Sequence, residues 1–270
     1  TELVARHPRL RVSLPSLRID SFSVGLAEAV SRRRSSLTFA PEAGSERLRR
    51  VVNKGVTEED LLRTAETAFS RGWQSIKLYF MIGLPTETDE DVEAIARLVR
   101  EVQRVGRRYG RREVNAAIST FVPKAHTPFQ WLGQEEDVSA KQAYLRQSLR
   151  RTKLGWSDPF ASRLEAVLAR GDRRLGRVIE GAWRLGARFD AWSEHLNRAA
   201  WEGAFAEAGL DGGFYANRER ERNEVLPWDH IDTGITKGFL WREYQRSIAG
   251  ELTGDCRRAE CAACGMMGRH

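Results

Sequence analysis

Over residues 1–130, short apolar runs alternate with longer segments of helical period. This is the pattern of βα units that feed a parallel sheet. The runs Arg11–Pro15, Ser36–Ala40, Ser75–Ile82 and Val114–Phe121 predict strands. Between the second and third, Thr57-Glu-Glu-Asp60 reads as a capping box, and Leu61, Leu62, Ala65, Ala68 and Phe69 then recur with a period near that of an α-helix. The device repeats at Thr88-Asp-Glu-Asp91, followed by Val92, Ile95, Ala96, Val99 and Val102. Each strand thus feeds a capped amphipathic helix.

From Val138 to about Leu210 the strand signals vanish, and segments around Ala140–Arg150, Ser162–Arg170, Leu175–Leu185 and Ser193–Ala208 read as helices. Trp183, Phe189, Trp192, Trp201 and Phe205 are most simply core residues of that helical packing, although an exposed aromatic can also stack on a base. After Asp211-Gly-Gly213 come a polar run, the segment Pro227-Trp-Asp-His-Ile-Asp232 and a last helix near Gly238–Ala249. Three parts are expected: residues 1–135 with the βα units, 136–212 as a helical extension, and 213–270 as a C-terminal segment with a Cys-rich tail.

Composition narrows the class. The 270 residues are 41% hydrophobic and 30% charged, and the longest apolar stretch, Leu78–Leu84, is far short of the roughly 20 residues a membrane-spanning helix needs. Thr1–Leu10 lacks the apolar core of a signal peptide. A cytoplasmic protein without a membrane partner is expected, and Thr1 in place of an initiator Met suggests a piece of a longer polypeptide. The net charge of +7 makes an RNA partner the alternative to a solvated Arg-rich helix face such as Arg97, Arg100, Arg104, Arg107 and Arg108. Cys256, Cys261 and Cys264, all the cysteines present, lie in the last fifteen residues. That spacing places three thiolates within nine residues, enough to wrap one metal ion or cluster, with His230, His270 or an open position completing the set.

Neither a Gly-x-Gly-x-x-Gly run after a strand nor a Gly-Lys-Ser/Thr loop is present, so dinucleotide and P-loop chemistry have no support. Acids at Glu58–Asp60 and Asp89–Asp91 also occupy the helix starts that a phosphate would use. The unusual loops sit at three strand ends, where open sheets and barrels hold ligands. The first is Phe39-Ala-Pro-Glu42-Ala-Gly44-Ser45-Glu46; the second, Met81-Ile82-Gly83-Leu-Pro85-Thr-Glu87-Thr88, is a rigid turn whose backbone can face a flat ring. The third is Phe121-Val122-Pro-Lys-Ala-His126-Thr-Pro-Phe-Gln-Trp131. A structural explanation stands beside each: Glu42 as a helix-capping acid, Gly83–Pro85 as an ordinary βα turn, His126 as a structural histidine.

These three runs resemble the fourth, fifth and sixth strand regions of radical S-adenosylmethionine enzymes, and most of all the group that carries an N-terminal cobalamin-binding domain. Arg170–Arg174, Gly186–Trp192, Pro227–Asp232 and Asp255–Arg257 are similar to that group's C-terminal portion. The resemblance implies an α/β fold: the C-terminal half of a partial (βα)6 TIM-like barrel, then a helical extension and a Cys-rich tail. It also implies an iron-sulfur enzyme that uses S-adenosyl-L-methionine and a 4Fe-4S cluster, with cobalamin in an upstream domain of the same polypeptide. Glu42 and Ser45 would approach the ribose or amino-acid end of the cofactor, while Ile82, Gly83, Pro85, Phe121 and Val122 would border the adenine. Two departures stand out. The cluster loop Cys-x3-Cys-x2-Cys does not occur in these residues, so this piece alone is expected to be inactive, and Thr86 stands where the family often has Gly. The tail cysteines would then form an auxiliary cluster or a zinc site, although Met267 replaces the last cysteine of the group's usual ending. The partners implied are the upstream domains and an RNA or protein substrate. An RNA-interaction module with a C-terminal metal-binding knuckle is the competing reading.

Overall fold

The computed structural model describes Arg6, residues 36–257 and residues 259–266. The strand predicted over Arg11–Pro15 lies outside them. The described residues form two compact units. The first takes in residues up to Ile82, Thr86–Ser119 and Ser139–Trp156; the second comprises Gly83–Pro85, Thr120–Val138 and residues from Ser157 onward.

In the first unit a sheet of order β1-β2-β3-β4 is built from β1 (Ser36–Glu42), β2 (Ser75–Ile82), β3 (Glu113–Thr120) and the short β4 (Leu154–Trp156). β1 runs parallel to β2, and β3 parallel to β4. β4 falls in the stretch where the sequence carries no strand signal. Three residues long and centred on Gly155, it is too brief for a period-two pattern to register, and its pairing with Ala116–Ile118 is what makes it a strand. Between the strands run α1 (Glu46–Val51), α2 (Glu58–Ser70), α3 (Asp89–Arg107) and α4 (Ser139–Ser148).

Both predicted capping boxes form, at Thr57/Asp60 and at Thr88/Asp91. They satisfy amide hydrogens that a helix start leaves without partners. The periodic residues Leu61, Ala65, Ala68 and Phe69 of α2 are buried, as are Val92, Ile95, Val99 and Val102 of α3, and the two helices pack on each other. Along the strands, alternate residues are buried: Leu37 and Phe39 in β1, Ile76, Leu78, Phe80 and Ile82 in β2, Val114, Ala116 and Ile118 in β3. The opposite face carries Thr38, Lys77, Tyr79 and Asn115, all at least partly exposed.

The second unit is mainly helical: α5 (Pro159–Arg170), α6 (Leu175–Arg184), α7 (Arg198–Ala208), α8 (Gly212–Ala216) and α9 (Lys237–Ile248). Leu164, Val167, Leu175, Val178, Ala182, Trp201, Ala204 and Tyr215 form its main core. Of the aromatic residues expected in this core, Trp201 is buried and Phe205 partly so, whereas Trp183, Phe189 and Trp192 are 57%, 70% and 56% exposed. The expectation fails for these three because α6 turns only its Leu175–Val178–Ala182 stripe inward, and α7 starts at Arg198 rather than Ser193. Residues 186–197 therefore form no helix that could bury them. Trp183 instead stacks under the Arg188 guanidinium, 4.8 Å from the ring centre.

Arg170 holds this unit together from inside. It is fully buried, and its guanidinium donates to the carbonyls of Tyr215 at 2.9 Å, Arg218 at 2.7 Å and Leu132. Burial pushes its pKa down to about 10, with Arg220 and Arg218 adding repulsion, which still leaves it charged at neutral pH. Against the same segment lies Gly133, where a Cβ would come within 1.9 Å of the Asn217 carbonyl oxygen. The Gln134 amide donates to the Ala216 carbonyl at 2.8 Å, and the Asn217 side-chain amide donates to the Gln134 carbonyl at 2.9 Å, which lock the contact. Among the described residues, no helix is long and apolar enough to cross a membrane.

Two glycine substitutions separate packing from propensity. At Gly44 a Cβ would lie 2.2 Å from the Ile95 amide nitrogen and 2.7 Å from the Asp91 carbonyl oxygen, whereas at Gly176, inside α6, it would meet nothing within 4 Å. Gly44→Ala is expected to destabilise by about 1–3 kcal/mol through overpacking. Gly176→Ala is expected to stabilise by roughly 0.5–1 kcal/mol through helix propensity. Urea unfolding monitored by circular dichroism reads both, and equal effects would contradict the packing described.

Candidate functional site

β1 and β2 run parallel, as do β3 and β4, so within each pair the chain leaves both strands at the same end, and Glu42, Ser45, Ile82, Gly83, Pro85, Phe121 and Val122 stand at or just after strand ends. The first exit is the most elaborate. A register shift between Phe39 and Glu42 marks a bulge, and Glu42 adopts φ +71°, a left-handed conformation uncommon for a residue with a side chain. Its carboxylate pairs with Lys54 at 3.2 Å. Glu42 therefore does not cap α1; Ser45 does, accepting from the Leu48 amide at 3.0 Å.

Ser45 has a second engagement. Its hydroxyl also donates to Asp91 at the start of α3, and the same carboxylate accepts from Arg47 and, at 2.9 and 3.0 Å, from the Thr88 amide and hydroxyl. Arg47 reaches on to the Thr86 hydroxyl at 3.1 Å and carbonyl at 2.6 Å. Arg49, almost fully buried, donates to the carbonyls of Ala43 and Gly44 at 3.0 Å each and of Val56 at 2.7 Å. The exit loop of β1 is thus stapled from two sides, and the Ser45 hydroxyl is committed to structure.

At the second exit Ile82 is completely buried. Gly83 follows with φ +78°, and a Cβ there would sit 3.2 Å from a Glu135 carboxylate oxygen. The turn needs glycine both for its conformation and for room. Beyond Pro85, Glu87 is nearly buried and paired with Lys141 at 2.8 Å. At the third exit Phe121 is buried and packs edge-on against Phe129, with ring centres 5.6 Å apart, while Val122 joins the margin of the core around Leu164. Thr120, the last residue of β3, has a buried hydroxyl without a hydrogen-bond partner among the described residues. Such an atom is costly unless something bonds to it. The sequence does carry a signal for Thr120: a polar residue in the buried register Val114, Ala116, Ile118, Thr120.

The tail behaves differently. Cys256 and Cys261 are exposed and Cys264 half-buried, all as free thiols, and among the described residues no three His, Cys, Asp or Glu side chains converge on a point where a metal could sit. Of the further ligands considered, His230 is described and exposed, whereas His270 and the position of Met267 lie outside the described residues. The four convergent ligands of a structural zinc or cluster site are not assembled among the described residues.

Part of the chain is similar to known proteins. Residues 2–99 match the family model described as the Radical SAM superfamily, a stretch that includes β1, β2 and the Gly83–Pro85 turn. An uncharacterized protein of Methanocaldococcus jannaschii is 34% identical over 175 residues, which cover 63% of this chain. The matched region is 37% of that relative's length, so the chain spans well under two thirds of the curated relative it matches.

The Asp91 carboxylate gives the β1 exit a pH signature. Burial alone would raise its pKa, but the hydrogen bonds from Ser45, Arg47 and Thr88 outweigh it and hold it below the usual carboxylate range. A depressed folded-state value stabilises the protein above the unfolded pKa of about 3.9, and that stability is lost as pH falls through the folded value. Asp91→Asn is expected to cost about 1–3 kcal/mol at pH 7. The gap from the unaltered protein should close on acidification toward pH 3 in urea titrations; a gap independent of pH would contradict the role given to the carboxylate.

Proposed function

We propose that this chain is part of a radical S-adenosylmethionine enzyme and contributes strand-end residues to the binding of the cofactor and substrate. The observation that carries the reading is the match of residues 2–99 to the Radical SAM superfamily, a family of enzymes whose members use S-adenosylmethionine and a 4Fe-4S cluster. Those residues span the β1 exit and the glycine turn after β2, the same positions the sequence singles out.

When bound, the sulfonium cofactor supplies one-electron bond-cleaving chemistry. The part given to this chain's own residues is binding. Glu42, set in place by Lys54, accepts hydrogen bonds from a hydroxyl or ammonium group. Ser45 acts as a positioning residue, because its hydroxyl caps α1 and bonds Asp91. Ile82, Gly83 and Pro85, and in the next exit Phe121 and Val122, offer backbone and apolar edges suited to adenine. The acids at the helix starts suit an adenosine without phosphates, since they fill the positive helix ends. No cluster ligand is drawn from this chain in this reading, as its only thiols are the three of the tail. A cobalamin-binding domain elsewhere in the same polypeptide is the finer context suggested by the runs at 39–50, 80–91 and 121–131.

Anaerobic reconstitution of the longer polypeptide containing this chain, followed by reduction in the presence of S-adenosylmethionine, is expected to release 5′-deoxyadenosine. Glu42→Gln should slow that release at least tenfold. A fully loaded cluster with no deoxyadenosine formed would sink the reading.

A further inference from the structure

Charge in the first unit is sorted along its strands. α3 opens on Asp89, Glu90 and Asp91 and closes on Arg104 and Arg107. Where the chain enters β3 and β4, α3 and α4 give way to the loops 108–112 and 149–153. These loops share one end of the sheet, because β3 and β4 pair in parallel and the Ala116 amide donates to the Lys153 carbonyl at 3.1 Å. Two bonds fasten α3 to the end of α4 and the loop after it: Arg100 donates to the Ser148 carbonyl at 2.8 Å, and Gln103 to the Thr152 hydroxyl at 2.9 Å. The result is a surface that carries Arg107, Arg111, Arg150, Arg151 and Lys153, all of them exposed. We infer that this surface docks the phosphate backbone of a nucleic-acid duplex.

The five cations lack carboxylate partners. None of them stands in an ion pair among the described residues, and two neighbouring acids are committed to other groups. Glu101 is held by Arg104 at 2.5 Å, and Glu66 by Arg108 at 3.6 Å and the Tyr109 hydroxyl at 3.2 Å. Glu113, at the start of β3, remains as a counter-charge. The helix dipole accounts for a cation in the last turn of a helix, as at Arg104 and Arg107, but it fades beyond that turn. It gives no cause for Arg111 and Lys153 just before β3 and β4.

The rest of the surface selects the partner. Among the described residues, no large apolar side chain is exposed within 97–113 or 145–153. A protein partner calls for an apolar core to its interface, a membrane for an apolar anchor beside the charge, and unpaired bases for aromatic faces to stack on. A duplex needs none of these, since its bases stack on one another and its phosphates face outward. Four of the five cations are arginines, whose planar fork matches a phosphate with two parallel hydrogen bonds. Gln103 is bonded to Thr152 and so is not offered to base edges, which makes the binding one of backbone and charge rather than of sequence.

The test titrates the full chain into four labelled probes, read by fluorescence anisotropy: RNA and DNA duplexes of equal length, the unpaired RNA strand and poly-L-glutamate. A duplex is expected to bind more tightly than the last two, and the tighter of the two duplexes identifies the source of the phosphates. If three to five phosphates are neutralised, affinity falls roughly 40- to 500-fold between about 50 and 200 mM salt. Arg150→Gln with Arg151→Gln should weaken duplex binding at least fivefold and lower the salt slope by about two. Arg173→Gln with Arg177→Gln removes the same charge from exposed positions of the second unit and should change affinity less than twofold. Equal losses from the two pairs, an affinity indifferent to salt, or poly-L-glutamate or the unpaired strand bound as tightly as the duplexes would overturn the inference. The four-probe comparison and the salt slope on the unaltered chain stand whether or not the variants fold. They are also independent of the cofactor reading, since neither S-adenosylmethionine nor a cluster takes part.

Discussion

The first unit depends on how closely the β1 exit loop approaches the start of α3. At Gly44 two stretches of backbone come so near that no side chain fits between them. A contact of that kind gains little by itself, but it fixes the positions of everything bonded to it. The buried Arg49 guanidinium gathers the Ala43 and Gly44 carbonyls on one side, and Asp91 gathers Ser45, Arg47 and Thr88 on the other. With the loop held in this way, Glu42 can keep a left-handed backbone and still meet Lys54. Strain at a strand exit persists only where its surroundings over-determine it.

The second unit solves a similar problem with a different device. There a buried cation collects carbonyls: Arg170 binds three from segments far apart in the chain, and Arg220 returns a hydrogen bond at 2.6 Å to the Arg170 carbonyl. Carbonyls that would otherwise be buried without donors are thereby satisfied, which is the condition for burying irregular chain at all. Beside this knot, Trp131, Leu226, Trp228 and Leu240 make a smaller core.

The three tail cysteines, conspicuous in the sequence, are the feature the structure uses least. Close spacing along a chain permits convergence but does not cause it, and among the described residues no three ligating side chains converge. The Radical SAM superfamily match instead directs attention to the strand exits. Those positions are distinguished by backbone shape and buried hydrogen bonds more than by conspicuous reactive side chains.

Period and capping chemistry determined the β1, β2 and β3 strands and the starts of α2 and α3, because each depends on residues within a few positions of one another. Thr57/Asp60 and Thr88/Asp91 are legible for that reason, as are Glu42, Gly83 and Phe121 as residues of strand exits. Tertiary structure alone decided that β4 pairs with β3 and that Trp183, Phe189 and Trp192 stay exposed. It alone also gave Asp91 partners from another loop and left the Thr120 hydroxyl buried without one. Each of these outcomes turns on contacts between residues far apart in the chain, and local pattern carries no information about which distant backbone or side chain will arrive.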